Sequence, residues 1–471
     1  MSGDLHERIL SNTVSQIAGR ALIALLRLGV AAIIIRGFGA ETFGAFAIIL
    51  GVLTIAEWIV DFGTIGIFIR DLPRDAAGRE RKLRTLTAMM LVQVPAAAAV
   101  FLAILGAMRY PASILQAGAI AAISLPFLGG VVVYFAVFRA DLRMERAIGA
   151  ELLSVLALAA LLLLIPEGAR SLTTVAAAYA VARAVQFAAS VVLGWSEYRL
   201  SVAGASADEV RRGLRASATA GVIGTLAMAY EATDTLVLSR LATVTEVALY
   251  NAAQRLLTPV LLTAAAVAAT LYAVAAPHWP ESPRAFSGAG QRGLDTAAVT
   301  GGLALSAILA GGPFLLALLG PEVRAAAPLL VPLGFYIFLR AMTATIGPLT
   351  YIVHAERRTL LAVAISTALK PLVLGVTLMN ADLISMAWAA AVVELAGMVI
   401  PAAAILRGHG VPLRWSVPLR AAALLAATTL AVEWTGWSGI TAMAAAALLY
   451  AALSFVTRTI SIVDLRLLFR R

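Results

Sequence analysis

Apolar stretches of about 20 residues recur along the whole chain, parted by short segments where Gly, Pro and charged residues gather. At about 1.5 Å rise per residue, each stretch makes a helix able to cross a hydrocarbon core of roughly 30 Å. This punctuation predicts helices near 12–35, 43–68, 86–108, 114–138, 148–165, 173–195 and 216–238. Seven more are expected near 247–273, 295–319, 327–352, 360–380, 386–406, 418–434 and 439–457. The pattern is that of an all-α, polytopic membrane protein with about fourteen transmembrane helices, twelve being the lower count. The first stretch is longer than a signal h-region and contains Arg20 and Arg27, so it is expected to be retained.

Composition agrees with the pattern. Hydrophobic residues make up 61% of 471 and charged residues 13%, and the mean hydropathy is +0.92. A water-soluble fold would have too little polar surface to cover itself, so the bilayer is the expected solvent. Cysteine is absent, which removes disulfides and thiolate metal sites. Lys82 and Lys370 are the only lysines and neither follows a glycine-rich phosphate loop. His6, His278, His354 and His409 are scattered, so no metal site and no cofactor is expected. Every loop on the less basic side is shorter than ten residues, leaving no room for a catalytic domain. No catalytic residue is assigned, and a membrane-embedded polysaccharide enzyme is the weaker reading.

The net charge of +10 gains meaning from its distribution. With the N-terminus taken as inside, 24 of the 36 basic residues fall in inside segments and five, Arg36, Arg109, Arg170, Arg240 and Arg324, in outside loops. Such a bias orients a membrane protein, so both termini are expected in the cytoplasm. The basic residues alternate with greasy spans and form no groove interleaved with aromatics, which excludes nucleic acid as a partner. The longest inside segment, Ser196 to Arg215, is placed to join two bundles. Arg36 followed by Phe46 and Arg240 followed by Tyr250, ten residues apart in each case, suggest a parallel repeat shifted by six helices.

Charges in the middle of spans carry the candidate chemistry, because an ionisable group at the bilayer centre costs about 2.5–3.5 kcal/mol unless it meets a partner or a wet cavity. Arg20 and Arg27 share one face of the first helix, and Glu57 and Asp61 one face of the second, where they are positioned to neutralise that pair. Glu231 and Asp234, Arg255, Arg340, Lys370 and Glu394 are distributed over later spans. Two readings stand open. Arg20, Arg27, Arg255, Arg340 and Lys370 line a cavity that holds a pyrophosphate, whose oxygens suit guanidinium forks. Alternatively each pairs with a nearby acid and fastens helices together. Arg183 is a weaker candidate, whereas Glu151 and Glu433 are expected to snorkel at span ends. Glu57, Asp61 and Asp234 are candidates for ion coupling. In-span prolines such as Pro95, Pro259, Pro371 and Pro401 permit bending.

The turn Gly39-Ala40-Glu41-Thr42-Phe43-Gly44-Ala45-Phe46, then Asp61-Phe62-Gly63 and Ile69-Arg70, resembles the polysaccharide transporter branch of the multidrug/oligosaccharidyl-lipid/polysaccharide flippase superfamily. Asp234-Thr235-Leu236-Val237-Leu238 leading into Tyr250-Asn251-Ala252-Ala253-Gln254-Arg255-Leu256 is similar to its seventh and eighth helices, and Leu319-Gly320-Pro321-Glu322 to its ninth-helix exit. Phe46 departs from the tyrosine more usual there. The resemblance spans residues 10 to 410. It implies two six-helix lobes, residues 1–200 and 201–410, that rock between inward-open and outward-open states, with two extra helices in 411–471. The substrate it implies is a polyprenyl-pyrophosphate-linked oligosaccharide destined for O-antigen, capsule or exopolysaccharide. Membrane lipids, a polysaccharide polymerase and chain-length proteins are the partners implied. A lipid II flippase and a cation-coupled drug exporter of the same superfamily are the alternatives.

Overall fold

A computed structural model describes residues 2–72 and 78–459, with the side chains of 2–17, 70 and 71 outside the description. Among the described residues there are only helices, turns and loops. Two compact units divide between Ala248 and Leu249. The first contains α1 (Ser2–Phe38), α2 (Ala40–Asp61), α3 (Thr64–Asp71), α4 (Arg79–Ala107), α5 (Ala112–Ala122), α6 (Ser124–Ala140), α7 (Met144–Leu164), α8 (Leu172–Gly194) and α9 (Ala207–Leu241). The boundary falls within α10 (Val244–Leu257). The second holds α11 (Val260–Ala275), α12 (Pro283–Ala310), α13 (Gly312–Leu319), α14 (Leu330–Ile352), α15 (Glu356–Asn380), α16 (Leu383–Glu394), α17 (Ile400–Gly408), α18 (Ser416–Thr435) and α19 (Gly439–Val456).

Thirteen helical segments among the described residues are long and apolar enough to cross a bilayer. The one expected span outside these thirteen is the seventh, which coincides with α9, long enough at 35 residues but carrying Arg211, Arg212, Arg215, Glu231 and Asp234 and falling short in apolarity. Large side chains such as Leu163, Leu164, Met379, Trp434 and Leu448 are exposed on the outside, where lipid tails would meet them. Inside, hydroxyls turn back on the helix, as Thr428 Oγ1 does to the Leu424 carbonyl at 2.8 Å. That satisfies polar atoms where no water reaches.

Several expected helices are broken. The second divides at Phe62 and Gly63, both in the left-handed region at φ 41° and 72°. A side chain on Gly63 would be strained by that φ and would also lie 2.8 Å from the Ala220 Cβ of α9. Asp61 stabilises the restart: its Oδ1 accepts the Ile65 N–H at 3.0 Å and the Thr64 hydroxyl at 3.3 Å. The fourth expected helix divides at Ile123, the eighth at Thr258 and Pro259, and the ninth at Gly311.

In the first unit α2 is central, packing on α1, α4 and α9, while α7 packs on α1 and α8. Gly44 of the motif lets the chain approach closely. A Cβ there would sit 2.3 Å from the Val244 carbonyl oxygen, a backbone atom that cannot swing away. α9 is tied down at both ends. Glu209 meets Arg81 at 3.6 Å near its start, and at its end Arg240 donates to the Met108 carbonyl at 2.7 Å. In the second unit α12 is central, bordered by α11, α14 and the last two helices α18 and α19.

The twelfth expected span has an unusual middle. Residues Leu395–Val399 form a π-turn between α16 and α17, in which the Ile400 N–H donates to the Leu395 carbonyl. Pro401 explains it. Having no N–H, it cannot bond the Gly397 carbonyl four residues back, and the Ser366 hydroxyl of α15 donates to that oxygen instead at 2.6 Å.

Candidate functional site

The charged side chains inside the first unit converge on Glu57 of α2. On α8, Tyr179, Arg183 and Gln186 are spaced i, i+4, i+7 and so share one face. Arg183 pairs with the Glu57 carboxylate, and its side chain is only 15% exposed. Tyr179 donates to the same Glu57 oxygen at 2.9 Å. Arg183 also donates to Tyr179 at 2.8 Å and to Gln186 at 2.8 Å. The Phe46 ring of the motif stands edge-on to Tyr179 with centroids 5.8 Å apart.

Arg27 of α1 meets Glu151 of α7 at 2.7 Å, with side-chain exposures of 61% and 35%. Glu151 is therefore not merely a span-end group. The expected pairing of Arg20 and Arg27 with Glu57 and Asp61 is not what forms. Glu57 is taken by α8, and Asp61 is turned along the chain to start α3. Asp61 lies within electrostatic reach of Arg139, and Arg139 within reach of Arg20, which is exposed. Asp234 on α9 is fully buried, whereas its neighbour Glu231 is exposed.

The second unit repeats the arrangement on other helices. Tyr336, Arg340 and Thr343 of α14 have the same i, i+4, i+7 spacing. Glu394, the last residue of α16 before the π-turn, is 0% exposed and lies 3.7 Å from Arg340 Nη1. Its other oxygen accepts the Thr343 hydroxyl at 2.7 Å. Lys370 of α15, just before Pro371, is also 0% exposed, with Nζ 5.2 Å from the Tyr336 ring centroid. These three helices thus bring Arg340, Lys370 and Glu394 together. Arg255 is half-buried in the last turn of α10.

The structure therefore brings together Arg340, Lys370 and Glu394 in one unit, and Glu57 with Arg183 in the other. Tyr179, Tyr336, Thr343 and Ser366 were not singled out from the sequence. The signal available was the shared spacing of tyrosine, arginine and a hydrogen-bonding side chain on α8 and α14. Each arginine there faces a glutamate on a neighbouring helix.

A family model described as "Polysaccharide biosynthesis protein" matches residues 9–274, more than half of the chain. No curated protein sequence matches. Among solved structures, one titled lipid II flippase MurJ in an inward closed conformation superposes with a TM-score of 0.76 at 11% identity, covering 93% of this chain and 98% of its own. An inward-facing multidrug resistance MATE family transporter of the MOP superfamily gives 0.66 at 13% identity, covering 85% and 95%. A MATE in complex with MaD3S gives 0.60 at 14% identity, covering 88% and 96%. At such identities the likeness is one of fold, and that fold is shared by a flippase and by drug transporters. With a family model matching more than half of its length, the chain belongs to the polysaccharide biosynthesis protein family, and its fold is the one those transporters share.

Proposed function

We propose that this protein is a flippase that carries a polyprenyl-pyrophosphate-linked oligosaccharide from the cytoplasmic to the periplasmic leaflet of a bacterial inner membrane. The observation that carries the reading is the pair Arg340 and Lys370, two largely buried cations brought together beside Glu394 in the second unit. Two such cations on facing helices favour an anionic guest, and guanidinium forks suit phosphate oxygens. A drug exporter for cations would instead enclose an excess of acid. Arg20 and Arg27 in the first unit and Arg255 in the second are further candidates for contact with phosphate, with Arg27 released from Glu151 on binding.

Movement follows alternating access between the lobes 1–200 and 201–410, both termini staying in the cytoplasm. Ion coupling falls to Glu57, Asp61 and Asp234, of which Glu57, held by an arginine and a tyrosine, has the most to change on protonation. The released product passes to a polymerase and chain-length proteins. Deleting the gene is expected to make a polyprenyl-linked oligosaccharide accumulate on the cytoplasmic leaflet. Accumulation of lipid II would instead assign the lipid II flippase role. No accumulation, with altered drug tolerance, would assign an exporter.

A further inference from the structure

The basic residues where α4, α7 and α9 of the first unit begin are mostly neutralised within the protein. Arg79 grips Asp141 through two bonds of 2.7 Å, Arg81 meets Glu209 at 3.6 Å, Arg84 meets Glu80, and Arg143 and Arg146 share Glu197. Arg211 and Arg215 of α9 differ. They are exposed and make no ion pair or hydrogen bond among the described residues. Four apart on one helix, they point the same way. With Leu214 and with Ala88, Leu91 and Val92 of α4 they line an open groove of about 600 Å³, a size that small-molecule sites share.

The groove is two-toned across its width. Thr85 of α4 bonds Glu209 of α9 at 3.3 Å, and a side chain on Gly213 would meet Met89, so Arg211 and Arg215 lie level with Ala88 to Val92. Positive charge therefore lines the α9 wall and apolar side chains the α4 wall. Leu91 and Val92, 65% and 51% exposed, offer that wall to an occupant that is itself apolar. A soluble anion would satisfy the arginines and leave the wall bare. A molecule with a phosphate at one end and an acyl chain at the other satisfies both.

We infer that this groove binds an anionic glycerophospholipid of the surrounding bilayer, its phosphate between Arg211 and Arg215 and an acyl chain along Leu91 and Val92. The site is separate from the Arg340 and Lys370 cluster and does not depend on what the protein transports.

Native mass spectrometry of the full chain, titrated with dioleoyl-phosphatidylglycerol and with dioleoyl-phosphatidylcholine, tests it. One phosphatidylglycerol is expected to be held more tightly than phosphatidylcholine. The double variant Arg211→Gln/Arg215→Gln is expected to weaken it about 30-fold, the loss expected from two interfacial arginines, whereas Arg211→Lys/Arg215→Lys retains most of the binding. Leu91→Ala/Val92→Ala, which trims the apolar wall at two lipid-facing positions without adding a charge, is expected to weaken lipid binding with both arginines in place. Equal binding of the two lipids, undiminished binding by the glutamine variant, or displacement of the lipid by inorganic phosphate alone would overturn the assignment. Displacement by an equal amount of polyprenyl pyrophosphate would overturn it too, giving the groove to the transport substrate.

Discussion

Removing Glu394 separates the two roles open to Arg340. At 3.7 Å and an effective dielectric constant near 20, the attraction is about 4 kcal/mol. Deleting one partner of a buried pair costs a similar amount, roughly 3–5 kcal/mol. Glu394→Ala also strips the Thr343 hydroxyl of its acceptor. The expected loss is therefore about 4 kcal/mol, equivalent to a fall of roughly 8–16 °C in the thermal midpoint of a unit this size. Tryptophan fluorescence during heating in detergent micelles measures it. The double variant Arg340→Met/Glu394→Leu replaces both charges with apolar groups of similar volume and is expected to return to within about 1 kcal/mol of the native protein. Its transport is the deciding assay, read as polyprenyl-linked oligosaccharide in a deletion strain. A stable but inactive double variant fits a phosphate-binding Arg340. A stable and active one reduces Arg340 to a helix fastener and refutes the substrate assignment. A Glu394→Ala midpoint within about 2 °C of native would refute the energetics themselves.

Arg183→Met leaves Glu57 without its guanidinium and is expected to cost about 3–5 kcal/mol, with much of it recovered in Arg183→Met/Glu57→Gln; detergent thermal midpoints of the two variants check this. Gly44→Val places carbon against the Val244 carbonyl oxygen and is expected to destabilise by about 1–3 kcal/mol, read from purified yield and midpoint. Glu197, in the segment after α8, is pulled up by burial, but the Ser196 hydroxyl and the Arg146 and Arg143 guanidiniums outweigh that and hold it below the ordinary glutamate range. A lowered carboxylate stabilises the fold above its unfolded pKa and loses that contribution as pH falls through the folded value. Hydrogen exchange of residues 195–206 is thus expected to rise below about pH 4, a rise that Glu197→Gln removes.

The spans were legible because a 20-residue apolar run has few alternatives to a transmembrane helix, and the family turn at Gly39 to Phe46 was equally plain. What escaped was contact between helices. Sequence spacing shows that Glu57 and Asp61 share a face, but not which helix lies opposite. Glu57 met Arg183 of α8, while Asp61 was consumed in restarting the chain after Phe62 and Gly63. Arg340 was visible as a mid-span charge, yet its neighbour Glu394 lies 54 positions away. α9 shows the converse, a helix polar enough to be the weakest apolar run that is still held firmly against α2. Pro401 was visible as a proline that permits bending, and the π-turn it imposes was not.

That turn also governs which way a carboxylate points. A π-turn stores one surplus residue, and each residue it passes is rotated by about 100°. Were it to slide toward Leu383, Glu394 would swing off α14 and surrender both Arg340 and Thr343. An imino ring seven positions downstream thus acts as a stop that keeps the charge register of the second unit in phase.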